Sequence, residues 1–144
     1  MHSPILGAAM ALVLWTFVMW LWLYATRLPA MIKGKIVYDP QRPASEFLDK
    51  IPPRARWKAD NYNHLHEQPT IFYAVAITLA MLSAGGGLNA TLAWIYVALR
   101  VAHSLVHATV NKVEIRFAIF VAASIVLLIL AVNAALILFA GPSA

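Results

Sequence analysis

The chain contains no cysteine. That excludes a disulfide, a thiolate nucleophile of its own and a Cys-ligated zinc, and it leaves the compartment open. Charge is nearly as scarce. Only 12% of the 144 residues are Asp, Glu, Lys or Arg, where a soluble domain averages about 25%. Hydrophobic residues make up 62%, and a soluble fold of that composition would leave extensive apolar surface facing water, which soluble monomers avoid. No tandem repeat stands out. The formal net charge of +5 invites a nucleic-acid reading. Its basic residues gather in one segment instead of forming a groove or stripe, so membrane topology explains them and nucleic acid is not the expected partner.

What the chain has in place of charge is four apolar runs within one domain, residues 1–144. They cover about 5–28, 62–84, 91–110 and 114–140, the last ending at Gly141-Pro142, and about 20 apolar residues suffice to span a bilayer. The first run is too long, and too poor in basic residues before it, for a signal peptide. The expected fold is therefore all-α and integral to the membrane, a bundle of four transmembrane helices with lipid as its surroundings.

The connections differ. Gly85-Gly86-Gly87-Leu88-Asn89 and Asn111-Lys112-Val113 are tight, which makes successive helices antiparallel neighbours. Residues 29–61 instead form a long polar loop with seven Lys or Arg against four acids, and with Pro29, Pro40, Pro43, Pro52 and Pro53. Pro53 suits the first turn of a helix that starts outside the membrane and runs inwards. Basic residues mark the cytoplasmic side. The loop and Lys112 are basic while the N-terminal tail and the glycine turn are not, so both termini are expected outside and the first loop inside.

Four apolar helices need no polar interior, yet Glu67, Arg100, His103 and His107 lie inside the runs. An Arg at mid-bilayer costs roughly 2.5–3.5 kcal/mol on insertion scales, so such residues mark a functional site and are expected to find partners. Arg100, His103 and His107, at i, i+3 and i+7, fall within an arc of about 60° on one helix. Asp60, Asn63, His64 and Glu67 form a second stripe. Measured inwards at about 1.5 Å per residue, Glu67, His103 and His107 come level, with Arg100 deeper and able to snorkel. Arg27 and Arg116 sit at the expected cytoplasmic ends of the first and fourth runs. The plain alternative is structural. Arg100 and Glu67 would then be a buried ion pair and the histidines interhelical glue, as is expected of Asn133. Trp57, Trp94 and Tyr96 read as interfacial anchors, and His66 as a residue facing headgroups. Pro69 frees the carbonyl of Leu65 and should kink the second run beside Glu67.

These pieces carry a resemblance. Asn63-His64-Leu65-His66-Glu67-Gln68-Pro69 with Ile71-Phe72-Tyr73, the stretch from Trp94 to Ser104 around Arg100 and His103, and Arg116-Phe117 beyond it together resemble the MAPEG family, membrane-associated proteins in eicosanoid and glutathione metabolism. The departures below mark a divergent member, expected of bacterial type. The resemblance covers about 57–133 well and the first run by topology. It implies a homotrimer with glutathione as co-substrate, bound between subunits towards the cytoplasm. Glu67, Arg100, His103 and Arg116 match positions lining that site, with His64 and His107 at neighbouring positions and Arg27 as a first-helix arginine. Glutathione carries two carboxylates and an ammonium, so arginines and an acid suit it. Its thiol needs a nearby cation to become a thiolate, and Arg116 is the natural candidate for that catalytic role.

The chain departs from the family pattern at Asp60, His64 and His107, where the better-known members carry Arg, Asn and Tyr. An aspartate there repels a glutathione carboxylate, and the eicosanoid-specific branches are not expected. The leading reading is a glutathione-dependent transferase or peroxidase acting on a lipophilic electrophile from the bilayer. The alternatives are a non-catalytic membrane subunit of the same fold, and a metal site built from His64, Glu67, His103 and His107, for which imidazole and carboxylate are suitable ligands.

Overall fold

The computed structural model describes residues 2–140. Those residues form six α-helices and no strand: α1 (Ile5–Gly34), α2 (Ala44–Asp49), α3 (Pro53–His64), α4 (Gln68–Met81), α5 (Gly87–Thr109) and α6 (Val113–Ala140). The expected stop at Gly141-Pro142 lies outside the described residues.

Helix α1 runs past Pro29 to Gly34, so the loop expected from residue 29 begins later and itself contains α2 and α3. The helix ends where Lys35 turns left-handed (φ 48°) and the Ile36 N–H donates to the carbonyl of Met31 at 3.0 Å, a closure typical of helix C-termini. At about 1.5 Å per residue its 30 residues reach ~45 Å, beyond the ~30 Å hydrocarbon layer. The basic residues Lys33 and Lys35 mark its C-terminal end.

The second apolar run is not one kinked helix. It is broken. Helix α3 begins at Pro53, as the early proline suggests, and stops at His64, while α4 restarts at Gln68 with Pro69 in its first turn. Pro69 has no N–H to donate, and its ring clashes with the preceding turn. Glu67 turns the chain out of the helix (φ −88°, ψ −100°).

Two tight turns close the remaining helices. Gly87 adopts a positive φ of 53°, which costs glycine nothing. A Cβ on Gly85 would lie 2.6 Å from the Ile5 side chain, because the Ile5 N–H donates to the carbonyl of Gly85 at 2.9 Å. Asn111 takes the left-handed position after α5 (φ 50°), a role asparagine fills when glycine is absent.

Helix α5 is the centre of the packing. It lies along α6 and against α1 and α3, while α4 contacts α1 and α6. The core holds Leu12, Met19, Phe72, Leu79, Tyr96 and Leu130. Tyr96 is fully buried and stacked on Phe72 at 4.5 Å between ring centroids, so it is a core residue and not an interfacial anchor. Trp94 is half exposed, and His66 is exposed. Small polar bonds tie the helices together. Asn133 donates to Asn89 at 2.9 Å, Gln68 to Ser124 at 2.7 Å, and Asn61 to Ser104, the expected use of amides between membrane helices.

Two helices, α1 and α6, are long and apolar enough to cross a membrane. The polar row on α5 and the break between α3 and α4 set the other two runs apart. Outward-facing Leu14, Phe17 and Leu21 on α1, and Leu128 and Leu136 on α6, leave an extensive apolar exterior.

Candidate functional site

The break between α3 and α4 creates the site. A helix that stops leaves its last carbonyls without intrahelical partners, and those carbonyls form the negative end of its dipole. Arg100 on α5 answers that need: its Nη2 donates to the carbonyl of His64 at 3.0 Å. The guanidinium also lies over the ring of Phe120 on α6, 5.9 Å from its centroid. Arg100 is 0% exposed, so its own chain encloses it and it does not face lipid. Its Nε and Nη1 have no hydrogen-bond partner.

Arg100 does not pair with Glu67. Glu67 Oε2 lies 2.6 Å from Nδ1 of His64 instead, with the Glu67 side chain 66% exposed and that of His64 20% exposed. A carboxylate accepts and does not donate, which puts the proton of that bond on the His64 Nδ1. The two side chains come together because the turn at 65–67 folds Glu67 back over the end of α3.

The i, i+3, i+7 row on α5 faces inwards as its spacing requires. His103 and His107 are 2% and 5% exposed. Their rings meet His64 at centroid distances of 5.0 Å and 6.2 Å, and each other at 5.9 Å. The Nδ1 atoms of both are buried and unpartnered. Arg116, one turn into α6, donates through Nη1 to Asn111 Oδ1, while its Nε is buried without a partner. A groove of about 220 Å³ runs beside this cluster, lined by His64 of α3, His103 of α5 and, from α6, Val113, Arg116, Phe117 and Phe120. Arg116 therefore lies among apolar side chains of its own helix, and Val113 and Phe117 are two-thirds exposed.

His64, Glu67, Arg100, His103, His107 and Arg116 thus converge, and Arg27 does not join them. Arg27 sits over Phe47 at 5.7 Å and lines a second cavity of about 330 Å³ with Ser45, Asp49, Arg56, Asp60 and Asn63. Arg56 there is held by Asp49 at 3.1 Å. Sequence reasoning missed Phe120, Arg56 and Ser45. Phe120 had a signal in its place four residues after Arg116, on the same helix face. The other two had none, because only the fold of α2 brings them to Arg27. Among the described residues no group of three or more His, Cys, Asp or Glu side chains is arranged to hold a metal ion. The geometry therefore gives no support to the metal-ligating reading of the histidines and Glu67.

Outside the apolar runs, Lys58 is a buried cation, its Nζ 2.7 Å from the carbonyl of Arg54 and 5.5 Å from the Trp22 ring centroid. Burial, followed by repulsion from Arg54, pulls its pKa below the ordinary lysine value.

A model of the MAPEG family matches residues 5–136. The chain belongs to the MAPEG family. No curated protein and no solved structure matches it. MAPEG proteins are membrane-associated and include glutathione transferases, which accords with the two long apolar helices and the lipid-like exterior. Within a MAPEG chain, the cluster at the α3–α4 break is notable for its composition: two arginines and three imidazoles, with its carboxylate at the exposed rim.

Proposed function

We propose that this MAPEG protein is a glutathione-dependent transferase or peroxidase acting on lipophilic electrophiles. It would work as a homotrimer of four-helix transmembrane bundles, with the termini outside and the first loop in the cytoplasm. The observation that carries the reading is the groove at Arg116. The Arg116 side chain and the His64 and His103 imidazoles line that groove together with Val113, Phe117 and Phe120, so a sulfur anion could be held beside a lipophilic partner arriving from the bilayer. The residues also suit the tripeptide's other groups. The Arg27 cavity carries charges of both signs, Arg27 and Arg56 with Asp49 and Asp60, which matches a ligand with two carboxylates and one ammonium. Asp60 there is a partner for the ammonium, so its departure from the family pattern does not by itself exclude glutathione.

In this reading Arg116 stabilises the developing thiolate. A nearby cation moves a thiol pKa from ~8.5 towards ~7 or below, and each unit is about 1.4 kcal/mol of preference for the anion. The Val113, Phe117 and Phe120 wall excludes water and receives the electrophile. The test is calorimetric titration of the purified protein with glutathione, together with the ultraviolet absorbance of the bound thiolate. Wild type should bind and show the thiolate. Arg116→Ala should lose most of the thiolate signal and turnover while affinity falls much less. Equal signals in the two proteins would remove Arg116 from the mechanism, and no binding to wild type would leave a non-catalytic MAPEG subunit.

A further inference from the structure

Three imidazoles meeting at a helix break need a purpose beyond packing. Interhelical glue would pair their nitrogens, yet the Nδ1 atoms of His103 and His107 are buried and unpartnered. His64 differs from them in a useful way. It touches both, at 5.0 Å and 6.2 Å between ring centroids, and its Nδ1 is held at 2.6 Å by a carboxylate whose side chain is exposed on this chain. The cluster therefore has a buried end, a bridge and an exposed mouth.

We propose that His64, His103 and His107 form a proton relay that carries a proton from the ligand site at Arg116 to the aqueous face through Glu67. The relay rests on the reading of Arg116 as a thiolate partner. In the step it serves, the S–H bond of the thiol breaks and its electron pair stays on sulfur beside Arg116. The proton passes to a ring nitrogen of His103. From there it crosses to Nε2 of His64, as that ring gives its Nδ1 proton to the Glu67 carboxylate. Glu67 releases it to water. Nothing is oxidised or reduced; each imidazole ends neutral, and a flip of the His64 ring returns an N–H to Glu67 for the next transfer. Ring centroids 5.0 Å apart leave the His103–His64 transfer to a small motion or a bridging water. The adjoining groove of about 220 Å³, lined by both rings, has room for several waters and the polar groups to hold them. His107, 5.9 Å from His103, offers a second branch.

The surrounding charges set the direction. Arg100 on α5 and Arg116 on α6 both act on each of the three rings. Two guanidiniums push a proton away, and Glu67 at the rim attracts it. Asp60 on α3 lies within electrostatic range of Arg116 and partly offsets that push at its outer edge.

The relay histidines are positioning and proton-carrying residues, so the test needs readouts that a packing role would not move. The first uses no glutathione. In intact protein labelled with nitrogen-15 histidine, the ring N–H groups of His103 and His107 should exchange with water quickly by NMR, despite near-complete burial. Glu67→Gln and His64→Gln should slow that exchange by roughly tenfold or more. The second follows proton release with a pH dye as glutathione is mixed in. Thiolate formation should slow by a similar factor in both variants, and millimolar free imidazole should restore it in His64→Gln. Exchange at His103 that is unchanged in both variants would overturn the relay whatever glutathione does. Relay-dependent exchange in a protein that binds no glutathione would overturn the thiol reading and leave the relay standing.

Discussion

At the residue scale, Arg100 shows how a costly side chain becomes structural. A guanidinium inside an apolar bundle needs an acceptor, and Glu67 was the obvious one. The acceptor is instead a backbone carbonyl at the end of α3, with the Phe120 ring alongside. Arg100→Ala should therefore act through a lost cation–carbonyl bond and a large cavity, with no stranded carboxylate in Glu67. A cost of about 3–5 kcal/mol is expected, read as a fall in the midpoint of thermal unfolding in detergent. Glu67→Gln should cost far less, because its side chain is exposed, and an equal loss in both would restore the ion-pair reading. Lys58 gives a pH signature of its own. Its pKa is held below 10.5 in the folded protein, so the unfolded chain binds that proton more tightly. Stability should therefore rise with pH above the folded pKa and level off near the ordinary lysine value. Lys58→Met should flatten that rise in unfolding scans across alkaline pH, and an unchanged rise would place its cause elsewhere.

At the element scale, the decisive feature is the gap between α3 and α4, and one proline maintains it. Pro69→Ala returns an N–H donor at that position and lets the two helices approach one continuous run. The freed carbonyls would then be satisfied internally, and Arg100 would lose its acceptor. The expected outcome is higher helix content by circular dichroism, a lower midpoint of thermal unfolding because Arg100 is left buried without its acceptor, and weaker glutathione binding. Unchanged affinity would separate the break from function. Much of this was legible in the sequence. The helical row of Arg100, His103 and His107 follows from spacing alone, as do the turns at Gly85-Gly86-Gly87 and Asn111 and the glue role of Asn133. Pro69 announced a disturbance beside Glu67. The size of that disturbance was not legible, because a proline in a helix can kink or break it according to the packing around it. The same holds for α1 running through Pro29, and for Tyr96, which hydropathy places at an interface and Phe72 draws into the core. Arg27 lies apart from Arg116 on one chain for a related reason. Its place at the end of the first run was correct, but α2 and α3 fold over it and give it a cavity separate from Arg116.

At the scale of the whole molecule, the exterior sets the remaining questions. Seven basic residues in 29–61, and none before the first run or in the glycine turn, predict a cytoplasmic loop with outside termini. The chain has no cysteine, so single Ser45→Cys and Gly86→Cys variants can be labelled without background. Gly86 should react from outside in intact cells, and labelling of Ser45 from that side would sink the topology. The apolar side chains left exposed on α1 and α6 must meet lipid or other copies of the chain. In the proposed trimer, copies of the chain would cover part of that surface. The Arg27 cavity and the Arg116 groove are separate openings on one chain, while glutathione has a thiol between its charged ends. A neighbouring copy that set its Arg27 cavity beside this Arg116 groove would join the two halves of the ligand. A trimer arranged that way predicts a particle near three times 15.8 kDa once detergent is subtracted. It also predicts complementation: Arg27→Ala and Arg116→Ala chains, each inactive alone, should recover part of the activity when mixed and reassembled, because some interfaces then carry both wild-type residues. A clean monomer by mass, or mixed assemblies with no recovered activity, would confine the site to single chains.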